Sequence, residues 1–233
     1  MFKRNRFKTS LKRKVGIGLI VLLCTVITCS AASAYYSQKV TQGISDSILR
    51  LHVIANSDTE EDQTLKRQVR DDILVYMKDN VGKSSTLEES KGYLNEHLGD
   101  IEKIALNRIE KDGKNYGAKA LIGNFDFPTK VYGDIALPSG NYQALRVVLG
   151  DGKGANWWCV LFPPLCFVDA THGTVPDEVK DDLKGVLTEE EYAIITTADS
   201  EKDIPIKLKF KIVEFFEDSK VQFSGMVKKL FNI

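Results

Sequence analysis

Cysteine, histidine and tryptophan are scarce in this 233-residue chain, at four, three and two residues. The histidines, His52, His97 and His172, lie far apart and fit no ligand spacing with one another or with the cysteines, so neither a metal site nor a cofactor is expected. Carboxylates are missing from the start of the chain, where the first acid is Asp46. No internal repeat or low-complexity block appears. Glycines at 150, 152 and 154 superficially resemble a phosphate-cradling loop. However, no Lys-Ser/Thr pair accompanies them, and the strand-like Asn156–Val160 follows where a helix N-terminus would be needed. A nucleotide site is thereby excluded.

The formal charge balance of 32 bases against 32 acids hides an uneven distribution. Seven bases (Lys3, Arg4, Arg6, Lys8, Lys12, Arg13 and Lys14) precede the apolar run Val15–Ala34. Without them, 25 bases face 32 acids, a net charge near −7. A domain of that sign is a poor match for nucleic acid, whose binding rests on neutralising phosphates. The basic flank, apolar run and Ala32-Ser33-Ala34 ending form the three-part pattern of a secretory signal. An uncleaved anchor that keeps the chain in contact with the membrane is the alternative, because twenty residues can span a bilayer. Both place Tyr35 onward outside the cytoplasm. Neither Cys24, after Leu23, nor Cys29, after Thr28, has the small neighbour that lipidation wants. The expected organisation is residues 1–34 as signal or anchor, 35–47 as a polar lead-in, and 48–233 as one exported domain.

Within that domain, Ile48–Ala55 has the length and β-branching of a strand. Alternation sets Ile48, Arg50, His52 and Ile54 against Leu49, Leu51, Val53 and Ala55. Ser57 and Glu60 fit a capping box for a helix whose apolar face is Leu65, Val69, Ile73 or Leu74, and Met77. A second helix is predicted over Thr86–Lys111, weakened by Gly92 and Gly99. Strands follow at Tyr116–Phe127, Thr129–Ile135, Tyr142–Leu149 and Trp157–Phe162, the last two predicted to pair as a hairpin with its tip at Gly150–Asn156. Short helices are expected at Pro176–Lys184 and Thr188–Ile195, the latter capped by Thr188 with Glu191. Ile206–Ile212 alternates as a strand, and Val213–Phe231 reads as a closing helix. The predicted class is α+β: a mixed, largely antiparallel sheet with helices mainly on one face, behind an N-terminal signal segment.

Both tryptophans and the two cysteines beyond the apolar run fall within Gly150–Asp169, GDGKGANWWCVLFPPLCFVD. Aromatics supply large contact area, while glycine and proline fix backbone shape, so this stretch is a shaped surface or hinge. In an exported chain Cys159 and Cys166 either form a bridge across Pro163-Pro164 or lie buried as free thiols. Cys159, Asp169 and His172 also supply the elements of an extracytoplasmic thiol hydrolase, for example one acting on wall peptides. A second constellation joins His52 to the Asn56-Ser57-Asp58 turn, where a strand feeds a helix N-terminus. It is either a partner-contact site, supported by Arg70 and Asp71, or a packed histidine beside a helix cap.

Arg50–Asp58, RLHVIANSD, with Asp62-Gln63, Leu65-Lys66 and Val69-Arg70-Asp71, resembles the stage II sporulation protein R family. So does Tyr142–Val147 leading into the glycine–tryptophan stretch. The resemblance covers the exported region to about Phe216. It implies an endospore-forming Gram-positive source and a signalling role without catalysis. Such proteins are secreted from the forespore into the space between forespore and mother-cell membranes. There they activate a membrane-embedded aspartic protease of the mother cell, which processes the sigma-E precursor. The resemblance brings no established active site. Arg50, His52, Asn56, Ser57, Asp58, Arg70, Asp71, Asn156, Trp157 and Trp158 are therefore candidates for partner contact or for holding the fold.

Overall fold

The computed structural model describes residues 3–80, 86–167 and 174–196. The predicted strand Ile206–Ile212, the helix after it, Asp169 and His172 lie outside the described residues. Helix α1 spans Lys3–Asp46. Its part up to Lys39 and the body from Val40 are separate compact units. In the first unit, Gly16 onward is long and apolar enough to cross a membrane, and its apolar side chains are exposed. That composition fits a signal or export segment.

The polar lead-in, residues 35–47, is helical to Asp46. Val40 and Ile44, one helical turn apart, are both buried, and this pair gives the last turns of α1 an apolar anchor.

The body is built around β1 (Leu49–Ile54). Leu49, Leu51 and Val53 are fully buried, and so is Arg50 on the opposite face. A strand buried on both faces belongs in the middle of a sheet. The strand order is accordingly β2-β5-β1-β6, from β2 (Ala118–Phe127), β5 (Gly140–Leu149) and β6 (Asn156–Phe162). β1 runs parallel to β5 and antiparallel to β6, and β2 is antiparallel to β5, so the sheet is mixed and largely antiparallel. This corrects the predicted β5–β6 hairpin: β1 lies between the two strands. Alternation says which face a residue occupies but not which strand lies beside it. Between β2 and β5, a separate ribbon pairs β3 (Lys130–Tyr132) with β4 (Ile135–Leu137).

Helices α2 (Glu60–Asn80), α3 (Leu87–Glu96) and α4 (Leu98–Lys111) follow β1. Leu65, Val69, Ile73 and Met77 of α2, with Ile101, Ala105 and Ile109 of α4, share one core with Leu51, Val53, Leu145, Val147 and Leu161 of the sheet. The helices therefore cover one face, as the pattern predicts. The single helix expected over Thr86–Lys111 is broken at His97, where φ is −111° and ψ is 15°. There His97 stacks on Tyr93 and its Nδ1 lies 3.0 Å from the Asp100 carboxylate. Helices α5 (Asp177–Val186) and α6 (Glu189–Thr196) complete the described chain. The capping box of α6 forms as predicted, with reciprocal Thr188 and Glu191 bonds.

Candidate functional site

The two sequence blocks are distant in the chain but form one structure. The loop between β5 and β6 crosses the end of β1 and is bound to it along its length. Asn56 Oδ1 accepts the Asp151 N–H at 2.9 Å, and the Asn56 carbonyl accepts that of Lys153 at 3.1 Å. The Ala55 carbonyl accepts the Gly154 N–H at 2.9 Å, and Asp58 Oδ1 accepts that of Ala155 at 2.6 Å. Lys66 Nζ, almost fully buried, donates to the Ala155 carbonyl at 2.9 Å.

Asp62 organises this turn from below. It accepts bonds from Ser57 Oγ at 2.5 Å, Asn56 Nδ2 at 2.8 Å and Tyr116 Oη at 2.7 Å. Burial alone would raise its pKa, but these donors, led by Ser57, outweigh burial and hold it below the usual carboxylate value. The Ser57–Glu60 capping box is thus corrected. Thr59 caps α2, its hydroxyl accepting from the Asp62 N–H at 3.3 Å, while Ser57 is spent on Asp62. Asn56, Ser57 and Asp58 hold the glycine loop in place. Asp62, Lys66 and Tyr116 were not among the predicted site residues. The Thr59-x-x-Asp62 spacing was the available signal for Asp62.

On the sheet face away from α2, His52 lies between neighbours fixed by register. It stacks on Trp158 with ring centroids 3.8 Å apart and meets Phe127 edge-on at 5.8 Å. Its Nε2 is 2.7 Å from Asn156 Oδ1, and its Nδ1 accepts from Arg146 Nε at 3.0 Å. A nitrogen that accepts from guanidinium carries no proton, so the neutral Nε2–H tautomer is selected. Burial lowers the His52 pKa to about 4, against the bond to Asn156 and with help from the charges of Arg146 and Arg50. Arg50 is fully buried, donates from Nη2 to Tyr132 Oη at 2.7 Å, and lies over Phe127 and Tyr142 at 4.2 and 4.8 Å from their centroids. Its Nε and Nη1 have no hydrogen-bond partner among the described residues. Aromatic faces are its main neighbours. Arg146 and Phe125, stacked at 3.5 Å, were also missed by sequence reasoning, because their partners are set by strand register.

A pH dependence follows. Unfolded His52 binds a proton near pH 6.5, but the folded chain resists it until about 4. The contribution of neutral His52 is complete above pH 6.5 and is lost as pH falls towards 4. Urea denaturation is expected to show a loss on the order of 2 kcal/mol between pH 7.5 and 5, and His52→Gln should remove that component. An unchanged midpoint over that range would show that His52 is not held neutral.

Trp157 points to the helix side, 36% exposed, with the Arg70 guanidinium stacked 4.1 Å from its ring. Arg70 is itself held by Asp71 at 2.6 Å. These three predicted residues therefore meet at one spot, where Trp157 and Asp71 are exposed and Arg70 is half-buried between them. Cys159 and Cys166 are joined by a disulfide with Cα atoms 5.6 Å apart, so Cys159 carries no free thiol for a nucleophile. Among the described residues, no three metal-binding side chains cluster.

The family model for stage II sporulation protein R matches residues 45–172, which include both blocks. The stage II sporulation protein R of Bacillus subtilis (strain 168) is 37% identical over 188 residues, covering 75% of this chain and 82% of that protein. No solved structure matches. With RLHVIANSD and the glycine–tryptophan loop bound to one another inside the matched span, the chain belongs to the stage II sporulation protein R family.

Proposed function

We propose that this chain is an exported sporulation signal that acts by binding and performs no chemistry of its own. In this reading it passes from the forespore into the space between the forespore and mother-cell membranes. Its body then binds the outward-facing part of a membrane-embedded aspartic protease in the mother cell and favours the active state. Processing of the sigma-E precursor follows. A ligand shifts such an equilibrium only through a difference in affinity between the two states. The family membership carries the reading, and the apolar N-terminal helix suits the export route. Exposed Trp157, with half-buried Arg70 stacked on it, supplies the aromatic and arginine chemistry typical of binding hot spots.

The test places the full chain, the protease and the precursor in phosphatidylethanolamine–phosphatidylglycerol vesicles and follows precursor cleavage. The chain is expected to raise cleavage at least about fivefold, as a coupling of about 1–3 kcal/mol between the two binding states allows. Equal cleavage with and without the chain would overturn the proposal.

A further inference from the structure

The two halves of the Cys159–Cys166 bridge differ in exposure. Cys159 is buried in the core cluster, whereas Cys166, in the 3-10 turn Leu165–Phe167, is half-buried. Both line a groove of about 410 Å³, whose other walls include Val131, Trp157 and Trp158. A thiolate entering that groove finds Cys166 the less enclosed of the two sulfurs.

The bridge acts locally. Its partners are seven residues apart, and the entropy a cross-link removes grows with the loop it closes. The core shared by α2, α4 and the sheet, from Leu65 and Ile101 to Leu145, is held by apolar packing. What the bridge fixes is the turn Leu165–Phe167 against β6 and α2. It also fixes β6 at Cys159, two residues beyond Trp157 on the same face of the strand. Opening it frees one wall of the groove and loosens the backbone beside Trp157, while the rest of the body keeps its packing. Export crosses a redox boundary, because thiols persist in the cytoplasm and bridges persist outside it.

We infer that Cys166 is a thiol–disulfide exchange site, and that closure of its bridge to Cys159 by an exported dithiol–disulfide oxidoreductase gives the chain its binding-competent form. The Cys166 thiolate attacks the oxidant's disulfide, forming a mixed disulfide and releasing one oxidant thiol. The Cys159 thiolate then attacks Cys166 Sγ, which closes the protein bridge and releases the second oxidant thiol. The two protein thiols lose two electrons and two protons, and the oxidant's disulfide gains both. The inference rests on the reading that the chain is exported and acts by binding.

The experiment uses the full chain in the vesicle assay, either bridged or opened with a phosphine and desalted, together with amide hydrogen exchange and peptide mapping. Opening is expected to speed exchange within Trp157–Phe167 at least about tenfold, with α2 and α4 exchanging as in the bridged chain. The opened chain should trigger precursor cleavage at least about tenfold less, and glutathione disulfide should restore both readouts. The double variant Cys159→Ala with Cys166→Ala should stay low whatever the treatment. Glutathione disulfide should modify Cys166 in Cys159→Ala at least about tenfold faster than Cys159 in Cys166→Ala. Equal cleavage triggered by bridged and opened chains overturns the inference and leaves the proposed function standing. Faster modification of Cys159 also overturns the inference, and so does unfolding of α2 and α4 on opening, which would make the bridge a staple for the whole body. A bridged chain that triggers no cleavage overturns the proposed function and the inference with it.

Discussion

Gly154→Ala is expected to destabilise the body by about 3 kcal/mol or more, the upper end of what overpacking a close-packed site costs. Gly154 donates to the Ala55 carbonyl, and the loop lies directly on the end of β1. A Cβ at this position would overlap the Ser57 carbonyl oxygen and stand 2.6 Å from the carbonyl carbon. Backbone cannot rotate away as a side chain can. The Ser57 side chain is bonded to Asp62, and Asp58 holds the next residue of the loop, so moving Ser57 disturbs both blocks. The check is the urea midpoint of the variant. Gly92→Ala makes a matched control: nothing lies within 4 Å of a Cβ there, and the site is inside α3. That change should raise stability by roughly 0.5–1 kcal/mol through helix propensity. If Gly154→Ala is as stable as wild type, the loop is not clamped to β1 as described.

Trp157→Ala and Trp158→Ala should give opposite failures, although the two residues are adjacent. Trp158 is half-buried, stacked on His52 and edge-on to Phe127 at 4.6 Å, so its loss uncovers buried His52 and leaves a gap beside Phe127. The expected cost is about 3 kcal/mol, with degradation or unfolding before any defect in binding. Trp157 is partly exposed and packs chiefly under Arg70. Its removal should cost no more than about 1 kcal/mol of stability. Under the proposed function, the same change should lower sigma-E precursor processing at least about tenfold, because aromatic anchors at rigid edges carry a large share of binding energy. Thermal denaturation and the vesicle cleavage assay separate the two effects. A Trp157→Ala chain that is folded and fully active would place the contact elsewhere.

Much of the fold was legible where periodicity dictates it. The alternation of Leu49, Leu51 and Val53 against Arg50 and His52 named both faces of β1, and the spacing of Leu65, Val69, Ile73 and Met77 named the buried stripe of α2. The insertion of β1 between β5 and β6 was not legible, because pairing partners so far apart in sequence leave no local trace. The break at His97 was hidden because Leu94 and Ile101, on either side of it, keep helical spacing. For the site, the candidate residues were visible by type, but their roles were not. Asn56, Ser57 and Asp58 could equally have faced a partner, and only the bonds to the loop and to Asp62 assign them to holding it. The Arg146–His52–Asn156 row is likewise a product of register across three strands.

The central position of β1 has a consequence for timing. Its neighbours, beginning at Gln143 on one side and ending at Phe162 on the other, are made long after Leu49. A chain that emerges N-terminus first must keep this strand waiting, with its most apolar residues unpaired, until roughly half of the polypeptide has followed. A product truncated or stalled before Phe162 lacks β6 and leaves one side of β1 unpaired. Folding of the body is thereby coupled to completion of the chain through Phe162.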